Sequence, residues 1–220
     1  MGKTLVSESR ITTPVFRLAF PAVEKASQIQ GRGAFKFRIT MLYPNGLWDT
    51  ELKPLRLLVK DLIEKKYGVG TQPPTGFYLP FKDGNLSLSK KTSEPYEGFV
   101  DSKVVNAASD YKRPVVDGGN ADKGIKPQEI IDPSEIYAGC YCKASVNAYL
   151  WDNVGGQGVS IGFLALQKVK DGKPFSAFAD AAEDFEPITS ELLDTNKEAL
   201  FVAGGVETGN KVQPKLLDQI

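Results

Sequence analysis

The chain has 220 residues, 27 Lys/Arg against 27 Asp/Glu, two cysteines and no histidine. That length supports one sizeable core, and the composition is that of an ordinary globular protein. Without histidine, Ser-His and Cys-His catalysis and His-metal chemistry are excluded, and two cysteines alone do not make a zinc site, so no metal and no cofactor is expected.

The neutral sum hides an asymmetry. Residues 1–174 hold 24 basic and 18 acidic side chains, a balance of +6, whereas residues 175–220 hold 3 and 9, a balance of −6. A basic body with an acidic tail is more informative than the neutral sum. No apolar stretch approaches the length of a membrane span. The N-terminal MGKTLVSESR lacks the apolar centre of a signal peptide, so none is expected.

Residues 1–12 are polar and expected to fray. Val15 to Phe20 alternates as a short strand stopped near Pro21, and Glu24 to Gly33 reads as a polar connector. Ala34 to Pro44 is a clear strand, with Phe35, Phe37, Ile39 and Met41 on one face and Lys36, Arg38 and Thr40 on the other. Taken alone, that basic face reads as solvated. Leu52, Leu55, Leu58, Val59, Leu62 and Ile63 recur at helical spacing, predicting a helix from about Thr50 to Tyr67. Asp49 or Thr50 would cap it, Pro54 fits its first turn and Gly68 ends it.

Residues 69–97 form a long connector rich in Pro and Gly. It interleaves Phe77, Tyr78, Phe81 and Tyr96 with Lys82, Lys90 and Lys91. Rings that stack on bases and ammonium groups that neutralise phosphates are what a single-stranded nucleic acid requires. Rings that anchor a loop to the core would give the same composition. A third strand is expected near Phe99 to Ala107, followed by a second excursion beginning at Lys112 and Arg113.

The most regular stretch is a hairpin. From Tyr141 to Leu150, Tyr141, Lys143, Ser145, Asn147 and Tyr149 alternate with Cys142, Ala144, Val146, Ala148 and Leu150. Asp152, Asn153, Gly155, Gly156 and Gly158 make the turn, and Val159 to Val169 is the partner strand. Cys140 and Cys142 are expected to face opposite ways and to stay unbridged. Trp48 and Trp151, near turns, could each stack bases, but partial burial is the more common fate of a hairpin-end indole. Four or five strands, one helix and long excursions suit an all-β fold with one main helix, a five-stranded barrel of the OB type.

Several segments carry a resemblance. FRLAFPAVEKA (Phe16–Ala26), FKFRITMLYP (Phe35–Pro44), PYEGFVDSKVVNAASDYKRPVVD (Pro95–Asp117) and above all the hairpin segment Ile136–Phe175 resemble a phage family of single-stranded DNA-binding proteins, similar to those of short-tailed coliphages. The resemblance spans roughly residues 10–187. It implies an OB-fold that binds single-stranded DNA during phage replication, recombination and repair in the cytoplasm of the infected cell. It also implies an acidic tail that contacts phage or host replication proteins. Here a Gly-rich, Lys-containing segment follows the acidic zone, a departure that bears on the tail and not on the barrel. The domain plan that results is a flexible end over 1–12, a binding domain over 13–174 and an acidic, partly disordered tail over 175–220, with homo-oligomerisation left open.

Strand alternation nominates the DNA-binding side chains. Lys36 and Arg38 come from the second strand, Lys103 from the third, and Tyr141, Lys143 and Tyr149 from the hairpin. Phe77, Tyr78, Lys112 and Arg113 are loop candidates, and Arg17 joins from the first strand. The competing readings are a virion structural protein on a similar barrel, an RNA-binding OB module and a carboxylate-dependent nuclease. The nuclease ranks last, because lysines and tyrosines occupy the face where carboxylates would have to cluster.

Overall fold

The structure, a computed structural model, describes residues 5–7, 9–29 and 32–175. The acidic tail from residue 176 onwards lies outside the described residues. The elements in chain order are β1 (Leu5–Val6), β2 (Ile11–Thr12), β3 (Phe16–Ile29), β4 (Arg32–Pro44), α1 (Lys53–Tyr67), β5 (Phe81–Asp83), β6 (Ser102–Ser109), β7 (Val115–Val116), β8 (Tyr141–Asn153) and β9 (Gly156–Lys170).

Five of these strands close a ring. β3 pairs antiparallel with β4, β4 with β6, β8 with β9, and β8 with β3. The ring is closed by a parallel pairing of β6 with β9, Ala107 opposite Ile161 and Ala108 opposite Gly162. Numbered along the ring strands alone, the order is 1-2-3-5-4, an OB-type arrangement that leaves no open edge between the first and last strands. Phe16, Leu18, Ile39, Met41, Tyr43, Val105, Ala107, Val146, Leu150, Ile161 and Phe163 fill the interior, none more than 2% exposed. Each such aliphatic or phenyl side chain contributes roughly 1.5–3 kcal/mol by leaving water.

The β8 alternation holds throughout: Cys142, Ala144, Val146, Ala148 and Leu150 are buried, and the residues between them are half-exposed. Its turn is tighter than the glycine run suggests. Asn153 pairs with Gly156, and the Asn153 side-chain oxygen accepts from the Gly155 N–H at 2.9 Å.

Helix α1 packs against β8 through Leu55, Leu58, Val59 and Leu62. It starts at Lys53 with Pro54 in its first turn, three residues later than the spacing predicts. Neither Asp49 nor Thr50 caps it: Leu52 takes the N-cap position without a side-chain cap bond, and the Asp49 carboxylate pairs with the Arg56 guanidinium at 2.7 Å.

Several local expectations give way to long-range pairing. Residues 5–6 and 11–12, expected to fray, lie antiparallel along β8. β3 does not stop at Pro21 and runs to Ile29, with a bulge between Ala19 and Ala22 that accommodates the proline. The expected connector from Glu24 is thus strand up to Ile29, paired with β4. β6 begins at Ser102, and Phe99 precedes it in a turn. Phe35, expected on the apolar face, is exposed, because the β3–β4 arm continues past the ring.

Cys140 and Cys142 do not face apart. Both thiols are buried and their Sγ atoms lie 3.6 Å from each other, since residues two apart share a side of an extended chain. The hydrogen bond between them holds the Cys140 thiol below its ordinary pKa and pushes the Cys142 thiol up. They remain free thiols, as expected. Among the described residues no helix is long and apolar enough to cross a membrane.

Candidate nucleic-acid interface

A groove of about 680 Å³ crosses the outer face of β4, β6 and β9 and ends against β8 and the 69–101 connector. Its floor follows from strand parity. Arg38 lies opposite Ala108, Thr40 opposite Asn106 and Leu42 opposite Val104, so Arg38, Thr40, Val104, Asn106 and Ala108 share the face turned away from the core. The Thr40 hydroxyl donates to the Asn106 side-chain oxygen at 2.8 Å, a cross-strand bond that fixes the amide.

Three cations line the groove, Lys36, Arg38 and Lys82, and no carboxylate does among the described residues. Arg38 is held by the backbone: its Nε donates to the Ser27 carbonyl at 3.2 Å and its Nη2 to the Ala34 carbonyl at 3.0 Å. Lys36 is paired with Asp110 at 3.0 Å, an exposed carboxylate outside the groove. Exposed pairs of this kind hold by about 0.2–1 kcal/mol.

Six rings complete the lining: Tyr78, Tyr149 and Trp151 at one end, Phe20, Tyr96 and Phe99 at the other. Trp151 leans on Tyr78 with ring centroids 6.2 Å apart, and its Nε1–H donates to Ser160 Oγ at 3.0 Å. Lys82 stands 5.6 Å over the Tyr78 ring. The connector reaches this position because Tyr78 docks on β9 as if it were a strand. The Tyr78 N–H donates to the Gln157 carbonyl at 2.9 Å, and the Tyr78 carbonyl accepts from the Val159 N–H at 3.0 Å. Further along, β5 pairs with β6. The connector is therefore a strap built on backbone hydrogen bonds.

Of the residues nominated from sequence, Lys36, Arg38, Tyr78 and Tyr149 come together in the groove. The others stand elsewhere. Tyr141 lies at the far end of β8, flanked by Arg17 and Lys170 at 5.4 and 4.7 Å. Lys143 lines a separate depression with β2 and the start of α1. A 13-residue strand coiling around a small ring turns its two ends to different directions, so one outward face does not serve one site. Arg17 is occupied structurally: it donates to the Gly139 and Lys173 carbonyls at 3.3 and 2.5 Å and stacks 4.2 Å over Phe175.

Lys103 has the parity of Val105 and Ala107, which belong to the core, and reaches towards Trp48 at 5.6 Å at the end of the ring. Phe77 packs on the core beside Tyr67, Lys112 pairs with Glu24 at 2.6 Å, and Arg113 Nε donates to Ser109 Oγ at 2.8 Å.

The groove also holds residues that the nominations omit. Lys82 and Tyr96 lie in the connector whose composition already suggested binding, and Trp151 follows Tyr149 at the same parity on β8. Asn106 and Phe20 carry no sequence signal of their own. Trp48, by contrast, packs edge-on against Phe81 at 5.2 Å under the Arg56 guanidinium.

Comparison with known proteins gives a consistent picture. A protein of Acyrthosiphon pisum secondary endosymbiont phage 1, "Putative protein p50", is 29% identical over 174 residues, covering 79% of this chain and 90% of its own. The single-stranded DNA-binding protein of bacteriophage Enc34, solved in complex with ssDNA, superimposes with a TM-score of 0.55 at 22% identity, over 76% of this chain and 89% of that one. A C-terminally truncated form of the same protein gives 0.56 at 20% identity, over 76% and 88%. The single-stranded DNA-binding protein gp2.5 of bacteriophage T7 gives 0.51 at 14% identity, over 82% and 97%. At these identities the structures share the fold. The family model described as "Enterobacter phage Enc34, ssDNA-binding protein" matches residues 9–199, and the chain belongs to that family.

Proposed function

We propose that the chain binds single-stranded DNA in the groove across β4, β6 and β9, and that it acts by binding rather than catalysis during phage DNA replication, recombination and repair in the infected cell. The observation that carries this reading is the lining itself: three cations and six rings converge with no carboxylate among the described residues. Cations track the phosphates and rings stack on bases, with little dependence on sequence. Family membership supports the same ligand.

Anisotropy titration with labelled oligo(dT), oligo(U) and duplex DNA at 50 and 200 mM salt tests it. Single-stranded DNA is expected to bind more tightly than duplex, and more weakly at the higher salt. Equal affinity for duplex, or binding indifferent to salt, would remove the groove as the site. Tighter binding of oligo(U) would turn the reading towards RNA.

The Lys36–Asp110 pair yields a finer expectation. Lys36 must leave Asp110 to meet a phosphate, so Asp110→Asn is expected to raise affinity by about 1.5- to 5-fold, the equivalent of an exposed ion pair. The gain should shrink with salt. A loss of affinity in this variant would show that Asp110 positions Lys36 rather than competing for it.

A further inference from the structure

We propose that Phe20, in a strained backbone conformation, is a base-stacking residue at the end of the groove opposite Trp151; this rests on the groove being the DNA site. Phe20 has φ of +45°, in the left-handed region where a side chain with a Cβ is disfavoured. Aromatic residues there are outliers, and such strain persists only where surrounding structure imposes it, often at binding sites. The cause here is the β3 bulge: Phe20 and Pro21 fall between the paired residues Ala19 and Ala22.

The bulge breaks the side-chain alternation. Phe16 and Leu18 point into the core, and an unbroken strand would send residue 20 the same way. Phe20 is instead 53% exposed and lines the groove. One edge of its environment is already aromatic, with Tyr96 edge-on at 5.0 Å and Phe99 tilted at 5.6 Å. These neighbours hold the ring while half of its surface stays open. A phenyl ring turned outward at the expense of backbone strain, beside a cation-lined floor, has the features a nucleobase platform needs.

The placement also defines the path of the strand. Ala19 pairs with Thr40, Thr40 with Asn106, and the next residue of β6, Ala107, with Ile161 of β9. From β3 to β9 is three strand spacings, about 14 Å. Phe20 and the Tyr78–Trp151 pair thus bracket a floor that carries Arg38 and Asn106. Single-stranded DNA would run across the strands, with a base on each platform and phosphates over the cations between them.

The test separates ring, bulk and strain. Phe20→Leu keeps apolar contact with Phe99 and removes the ring; Phe20→Tyr keeps the ring; Phe20→Gly removes the side chain and relieves the backbone. With oligo(dT) read by anisotropy, Phe20→Leu and Phe20→Gly are expected to bind roughly 5- to 150-fold more weakly, and Phe20→Tyr to bind within about twofold of the parent. Thermal unfolding of each variant checks the fold, and Phe20→Gly is expected to unfold within a few degrees of the parent because the relieved strain offsets the lost packing. Parent-like affinity in a folded Phe20→Leu or Phe20→Gly, or a loss in Phe20→Tyr equal to that in Phe20→Leu, would overturn the assignment. The outcome is separable from that of the groove reading, since a parent protein that fails to bind oligo(dT) overturns both, whereas salt-sensitive binding unaffected by residue 20 overturns this one alone.

Discussion

Replacing Lys36, Arg38 and Lys82 together with glutamine is expected to flatten the salt dependence of single-stranded DNA binding. Each neutralised phosphate of a single strand contributes about −0.7 to the slope of log affinity against log salt. Three groove cations therefore predict a slope near −2, or about a twentyfold loss of affinity between 50 and 200 mM salt. The triple variant should show a slope close to zero, so that its deficit against the parent narrows about twentyfold over that range. Glutamine keeps much of the aliphatic stem, and none of the three cations is buried, so the fold should survive. Titrations at four salt concentrations decide the matter. A slope unchanged from the parent would move phosphate contact to cations outside the groove, with Lys143 in its separate depression as the first alternative.

Gly158→Ala is expected to weaken binding by roughly 5- to 150-fold, the equivalent of one lost stacking contact, without unfolding the ring. A Cβ at position 158 would lie 2.6 Å from the Tyr78 Cβ and 2.6 Å from the Tyr78 carbonyl oxygen. Neither neighbour is the far end of a flexible side chain, so the strap itself has to move. Overpacking of this kind costs about 1–3 kcal/mol, met most cheaply by releasing the two backbone hydrogen bonds that hold Tyr78 on β9. Tyr78 would leave the groove, while Lys82 stays on β5, paired with β6. Backbone strain does not complicate the test, because Gly158 is not among the residues with positive φ. Amide exchange at Val159, whose N–H donates to Tyr78, should accelerate in parallel with the loss of affinity. Protected exchange together with parent-like affinity would show that the strap tolerates the methyl group and contributes little to binding.

The two experiments probe different layers of the molecule. The first asks what the groove does electrostatically. The second asks whether a loop that closes one side of it is a fixed part of the site.

How much of this was legible beforehand can be judged residue by residue. The outward sense of Lys36 and Arg38 and the inward sense of Ile39 and Met41 follow from the period of two, and they hold. So does the buried set of β8. The helix was readable from its apolar spacing, with only its start displaced, to the turn in which Pro54 fits. By contrast, Lys103 could not be placed without knowing the boundary and partners of β6, because a short strand with apolar residues on both faces does not declare its parity. Pro21 reads locally as a stop, but a bulge on a strand paired to one long neighbour absorbs it.

What the sequence alone determined is the composition of the site and the face of each strand: a basic body, rings interleaved with lysines, and alternation strict enough to separate core from surface. Only the tertiary structure decided which of those surface residues meet. Side-chain parity is a property of neighbouring residues, whereas the groove depends on a parallel pairing between residues 107 and 161, on a connector docking at Gly158 and on the coiling that turns Tyr149 into the groove and Tyr141 away from it. These are contacts between positions far apart in the chain, formed when the ring closes, and no local pattern encodes them.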